Sequence, residues 1–224
     1  MRKIVTFDCY RTLLNFDTKT ATHAIVADRL AAAGVDPERF HYDAYVMRFQ
    51  GVVFDDYLPY RDILRRTLRD VLLLHGLAYR DEDGDALIEA VKGFVAFPEV
   101  PDALRRLKEE YDIAIISNSD DDLIAYAVDA IGVEFDHVIT AEQAGAYKPR
   151  PEAFDHMIKA VGRGPEDIVH AAQGWEYDIM PTKRYADAGM RRVWVNRYGF
   201  PGSPAFQPYE EIRDLSGLPP LLGC

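Results

Sequence analysis

The sequence predicts a doubly wound α/β fold, with a parallel sheet and a block of helices inserted after its first strand. Three observations predict it. Short apolar runs alternate with helical patterns through the second half of the chain, as in sheets wound by crossover helices. Several of those runs are apolar almost throughout, as strands buried on both faces are. Residues 17–96, between the first run and the second, read as helix only.

The first strand is "IVTF" (4–7), which breaks at Asp8. The insert then offers "TKTATHAIVADRLAAAG" (18–34), alanine-rich and closed by a glycine, "HYDAYVMRFQGVVF" (41–54), "YRDILRRTLRDVLLLHG" (60–76) and "DGDALIEAVKGF" (83–94). "FPEVPDA" (97–103), with two prolines, is the expected hinge back to the sheet. The domains are therefore expected as a core of residues 1–16 and 97–224 and a helical insert of 17–96. The insert would stand above the carboxyl ends of the strands, as a lid does.

The remaining elements alternate. "PDALRRLKEE" (101–110) is a helix with Pro near its start, followed by the strand "IAIIS" (113–117). "DDDLIAYAVDAIG" (120–132) opens on acids and closes on glycine, the polarity expected of helix ends, and precedes the strand "HVIT" (137–140). "RPEAFDHMIKAVG" (150–162) repeats that design before "DIVHAA" (167–172). A helix is expected from Asp178 to Gly189, and "RRVWVN" (191–196) is the fifth strand.

Composition narrows the function. The chain has 224 residues, 48% of them hydrophobic and 28% charged, enough to bury a core. Its net charge of −11 argues against a nucleic-acid partner, because phosphate neutralisation needs a basic face. Two cysteines, Cys9 and Cys224, build neither a disulfide framework nor a zinc cluster, so a reduced cytoplasmic compartment is the default. The N-terminal apolar run is too short for a signal peptide. "DVLLLHGLAY" (70–79) is too short, and broken by His75, for a membrane span. The six histidines form no pair at helical spacing, and none is assigned to a metal.

Chemistry gathers at the strand ends. Asp8 and Thr12 follow the first strand, and Ser117-Asn118-Ser119-Asp120 close the second. "AGAYKPRP" after the third presents Lys148, and "AAQGWEYD" (171–178) ends the fourth. A parallel sheet converges these ends on one crevice. Singly, each has an ordinary explanation as a cap, a turn residue or a surface lysine. Jointly, they describe a site.

"FDCYRTLL", "IISNSD" and "AYKPRPEAF" resemble the first three motifs of the haloacid dehalogenase superfamily. Asp178 in "EYDIMP" is the best match to the acidic fourth motif, with Glu176 second. The resemblance covers nearly the whole chain and implies a Rossmann-like core with an inserted helical cap. It makes Asp8 the nucleophile that forms an ester with substrate. It places Lys148 against Asp8 to hold it ionised. Thr12 and Ser117 would orient Asp8, and Asn118 would lie beside the leaving group or substrate carboxylate.

Tyr10 narrows the reaction. In the superfamily's phosphatases the position two after the nucleophile is a second aspartate, which protonates the departing alkoxide. Halide needs no proton, and tyrosine, with a reference pKa of about 10, is a poor acid near neutrality. Asp-x-Tyr-x-Thr is the pattern of the L-2-haloacid dehalogenase branch. "YVMRFQGVVF" resembles that branch's cap segment, which makes Arg48 the candidate for binding halide or carboxylate. "WVNRYG" (194–199) also resembles the segment after its fifth strand.

The chain departs from the branch at three places. Arg11 stands where motif I usually has Gly. Ala171-Ala172-Gln173 stands where Ser and Asn usually position the hydrolytic water; Gln173 is the candidate replacement for the Asn. The segment from Asp178 to Gly189 is longer than the family pattern. Trp175 is a candidate pocket wall. The reading is therefore a hydrolase displacing halide from C2 of a small anionic 2-haloacid, without a cofactor. Opening of a strained heterocyclic amino acid of the azetidine-2-carboxylate type is the alternative. A Mg²⁺-dependent phosphatase is disfavoured by Tyr10, and a catalytically silent binding protein by the retained Asp8, Thr12, Ser117 and Lys148. No membrane partner is expected, and the resemblance allows a homodimer.

Overall fold

The computed structural model describes residues 2–224. The chain divides into two compact units, Met1–Asn15 with Val95–Cys224, and Phe16–Phe94.

The first unit is built on a six-stranded sheet. Its strands are β1 (Ile4–Phe7), β2 (Asp112–Ser117), β3 (His137–Thr140), β4 (Ile168–Ala172), β5 (Arg191–Val195) and β6 (Glu210–Ile212). They run in the order β3-β2-β1-β4-β5-β6, and every pair is parallel. β1 is central, with Phe7 opposite Ile115 of β2 and Ala171 of β4. Ile4, Val5 and Phe7 are wholly buried, each contributing roughly 2 kcal/mol by leaving water. β6 escaped sequence reading because "EEI" is short and polar: it is a half-exposed edge strand, specified by pairing with β5 rather than by an apolar run.

The helices of this unit are amphipathic. Val100, Ala103, Leu104 and Leu107 form the buried stripe of the helix Val100–Glu110, which packs on β2. On one sheet face Ile4, Ala114, Ile116, Ile139 and Ile168 pack with Phe154, Met157 and Val161 of the helix Pro151–Val161. Gly132 and Gly162 close their helices in the left-handed conformation that a Cβ would penalise.

The expected helix from Asp178 to Gly189 does not form as one element. A π-helical turn covers Trp175–Ile179, and a separate four-residue helix covers Lys183–Ala186. Pro181 lies between them. It has no N–H to donate, and its ring crowds the preceding turn.

The second unit has four helices, Thr18–Ala33, Pro37–Val53, Tyr60–Leu74 and Asp81–Lys92. Asp17 caps the first by accepting from Thr20 N, and Gly34 ends it at φ 67°. Tyr60, Ile63, Leu64, Thr67, Leu68, Val71 and Leu72 give the third a buried face at helical spacing. Arg29 and Asp83 lock the first helix to the fourth with paired contacts of 2.7 and 2.8 Å. Among the described residues, no helix is long and apolar enough to cross a membrane.

Candidate active site

β1 releases the chain at the centre of the sheet, where strand order reverses between β2 and β4. Such a point leaves a crevice at the carboxyl ends of the strands. Asp8 stands there, 8% exposed. Its Oδ2 accepts from Thr12 Oγ1 at 2.6 Å, and its Oδ1 accepts from Lys148 Nζ at 2.8 Å. Thr12 Oγ1 also accepts from Gln173 N at 2.8 Å, which fixes the direction of the hydroxyl proton toward Asp8.

Lys148, 1% exposed, donates a second bond to Asp178 Oδ1 at 2.7 Å. One ammonium thus bridges two buried carboxylates. Burial raises the Asp8 carboxyl above its ordinary value; Lys148 pulls it down and Asp178 adds to the rise. Burial acts on Asp178 in the same direction, but Lys148 and His170 together outweigh it and hold that carboxyl low. Burial opposes the charge on Lys148, and the two aspartates overcome it, so the ammonium persists above its usual range. Lys148 was expected to keep Asp8 ionised. It does favour the ionised form, but part of its field is taken by Asp178.

Asn118 grips the Lys148 main chain from both sides. Its Nδ2 donates to Lys148 O at 2.9 Å, and its Oδ1 accepts from Lys148 N at 2.7 Å. Its amide is thereby committed to aiming the lysine. Ser117, 1% exposed, leaves its Oγ without a hydrogen-bond partner. Glu176, the second choice for the fourth motif, is exposed, whereas Asp178 is buried on Lys148.

The haloacid dehalogenase-like hydrolase family model matches residues 2–179, most of the chain. The chain belongs to that family. Among curated relatives, it is 25% identical to (S)-2-haloacid dehalogenase 4A of Burkholderia cepacia, over 96% of this chain and 93% of that protein. It is 37% identical to haloacetate dehalogenase H-2 of Moraxella sp. (strain B), over 46% of each chain. An L-2-haloacid dehalogenase from Xanthobacter autotrophicus, solved with chloropropionic acid covalently bound, superposes with a TM-score of 0.74 at 18% identity, covering 99% of this chain and 98% of that one.

Within this haloacid dehalogenase-like site, the loop after β1 is held from several directions. The Tyr10 hydroxyl lies 3.2 Å from Ser119 Oγ. Arg11 adopts φ 69°, and its guanidinium lies 4.6 Å over the Tyr198 ring. The usual glycine at this position has a physical reason: the turn needs a left-handed residue. Gln173 meets Thr12 through its main-chain N–H, and its carbonyl accepts from Trp194 Nε1 at 3.1 Å. Trp175 packs in an aromatic cluster with Trp194, Phe206 and Tyr209. Those contacts anchor the π-turn that carries Asp178. Arg48 belongs to the helical unit, where its Nη1 donates to Thr18 Oγ1 at 2.9 Å.

Sequence reasoning missed three contributors. His170 is wholly buried, with Nε2 3.2 Å from Asp178 Oδ1 and Nδ1 2.9 Å from Thr6 Oγ1. A histidine inside an otherwise apolar strand was the available signal. Arg197 donates to Thr12 O through Nη2 at 2.7 Å and Nε at 3.2 Å, pairs with Glu99 at 2.6 Å and stacks 3.8 Å over Phe97. Gly174 lies so close to Asp178 that an added Cβ would fall 2.4 Å from Oδ2. Gly174 had no local signal, and the signal for Arg197 was its place in the WVNRYG segment.

Proposed function

We propose that the protein hydrolyses small 2-haloacids through an ester formed on Asp8. The observation that carries this is the placement of a buried Asp8, held by Thr12 and Lys148, two residues before a tyrosine. Asp8 attacks C2 of the substrate, a carbon–oxygen bond forms, and halide departs with the bonding pair and inversion at carbon. Splitting the displacement into ester formation and ester hydrolysis replaces one hard step by two easier ones. Halide leaves without a proton, so the site needs no acid at position 10.

Ser117 supplies a buried hydroxyl for the bound anion, consistent with the unpartnered state of its Oγ. For Arg48 an anion-binding role rests on the resemblance of its segment alone. Asn118 serves the anion indirectly, by aiming Lys148. Water near Gln173, Lys148 and Asp178 then attacks the Asp8 carbonyl and frees the 2-hydroxy acid.

The residues present do not fit a magnesium site. Both Asp8 and Asp178 already face one ammonium, and position 10, where a phosphatase has its second carboxylate, is a tyrosine. We accordingly assign the local positive charge to Lys148 and propose a cofactor-free enzyme in a reducing, cytoplasmic setting.

Chloride release from L-2-chloropropionate tests the substrate class. A single turnover in ¹⁸O-water tests the intermediate: label is expected in Asp8 before it reaches product. Product labelled in the first turnover, with none in Asp8, would sink the ester route.

A further inference from the structure

We propose that His170 is a positioning residue for ester hydrolysis, holding Asp178 so that its Oδ2 takes the proton from the attacking water. The proposal rests on the dehalogenase reading above.

His170 sits in β4, register-paired with Thr6 of β1. Both side chains are wholly buried. An ionised carboxylate only accepts, so His170 Nε2 must carry the proton it shares with Asp178 Oδ1 at 3.2 Å. In a neutral ring Nδ1 is then an acceptor, and Thr6 Oγ1 donates to it at 2.9 Å. Asp178 therefore selects the tautomer, Thr6 satisfies the other ring nitrogen, and His170 fixes the carboxylate.

The two Asp178 oxygens are consequently unlike. Oδ1 receives both Lys148 Nζ at 2.7 Å and His170 Nε2. Oδ2 is buried with no hydrogen-bond partner. Two donors lower the basicity of Oδ1, whereas a buried acceptor left unpaired retains its full demand for a proton or a water. Gly174 borders Oδ2, and any side chain there would strike it. The geometry sets the free lone pairs of Asp178 on one atom.

Water oxygen bonds to the Asp8 carbonyl carbon while one water proton passes to Asp178 Oδ2. The bond from that carbon to the alkyl oxygen then breaks, and the departing alkoxide takes the proton from Oδ2. Asp8 is left as a carboxylic acid and ionises, releasing one proton to solvent. Asp178 returns to its starting state, with His170 still donating to Oδ1.

Rapid-quench kinetics with L-2-chloropropionate on wild type, His170→Phe, His170→Gln and Thr6→Val test this. For His170→Phe the first-turnover chloride burst should stay within about twofold of wild type while ester hydrolysis slows by about tenfold or more. The ester then accumulates, and kcat and KM fall together with kcat/KM retained. His170→Gln, which keeps an N–H donor, should recover part of the rate. Thr6→Val should shift the same way by a smaller factor, and it decides the matter if His170→Phe does not fold. An unchanged kcat, or equal slowing of the burst and of hydrolysis, would overturn the proposal. A wild type that releases no chloride at all would instead overturn the dehalogenase reading itself.

Discussion

Lys148 Nζ stands 2.8 Å from Asp8 Oδ1, with only 2% of the lysine side chain exposed. The same ammonium serves Asp178 at 2.7 Å, so the site holds two carboxylates on one cation. Removing that cation leaves two uncompensated buried charges. Lys148→Met is therefore expected to destabilise the fold by about 3 kcal/mol and to abolish chloride release. Urea denaturation beside a chloride assay checks both parts. An active, fully stable variant would refute this account of the bridge.

The two aspartates should respond to neutralisation with opposite signs. Burial raises Asp8, so the fold disfavours its charge; Asp8→Asn should keep or raise stability near neutral pH while eliminating turnover. Lys148 and His170 outweigh burial at Asp178, so Asp178→Asn should lower stability by about 1–3 kcal/mol. Thermal melts of the two variants at one pH decide whether a disfavoured charge on Asp8 faces a favoured one on Asp178.

The same directions set the pH dependence. As the proposed nucleophile Asp8 must be ionised, so the acid limb of the burst rate should have its midpoint above the ordinary 3.8. Stability linked to Asp178 is present above 3.8 and is lost as pH falls through its lowered folded value. Stability linked to Lys148 is complete below 10.5 and is lost as pH rises through its raised folded value. Asp8 works against the fold as pH rises past 3.8 and through its raised value. A burst-rate midpoint at or below 3.8 would contradict the assignment.

Tyr10 is read as a residue that need not act as an acid. Tyr10→Phe removes the hydroxyl held 3.2 Å from Ser119 Oγ but no required proton. Chloride release should survive within roughly tenfold, a change of about 1.4 kcal/mol in barrier. Loss of several orders of magnitude would assign the phenol a chemical role.

Arg11 and Arg197 separate strain from positioning. Arg11→Gly relieves a left-handed φ of 69° and should alter stability by less than about 1 kcal/mol. Arg11→Ala keeps the strain and loses the contact with Tyr198, so it should destabilise by about 0.5–1 kcal/mol. Arg197→Lys retains charge but not the planar fork that holds the Thr12 carbonyl. A fall of about tenfold in kcat is expected, because Thr12 donates to Asp8, the proposed nucleophile. Comparative melts and steady-state kinetics distinguish these outcomes.

Much of the fold was legible because its causes are local. The apolar runs of β1 to β5 and the stripe on Val100–Glu110 follow from periodicity alone. β6 was not legible, because its polar residues become a strand only through pairing with β5. The segment after Asp178 misled, since helical composition there is interrupted by Pro181.

The sequence by itself determined which residue types stand at the strand ends: Asp8, Thr12, Ser117, Lys148 and Asp178, with Tyr10 in place of an acid. Order along the chain suffices for that, because parallel strands bring their carboxyl ends to one edge. Only the tertiary structure decided who holds whom. Asn118 turns to the Lys148 main chain, Trp175 packs in an aromatic cluster, and His170 reaches Asp178 from within the sheet. These are contacts between residues distant in sequence or facing through the sheet, and their geometry is fixed by packing, which no local pattern encodes.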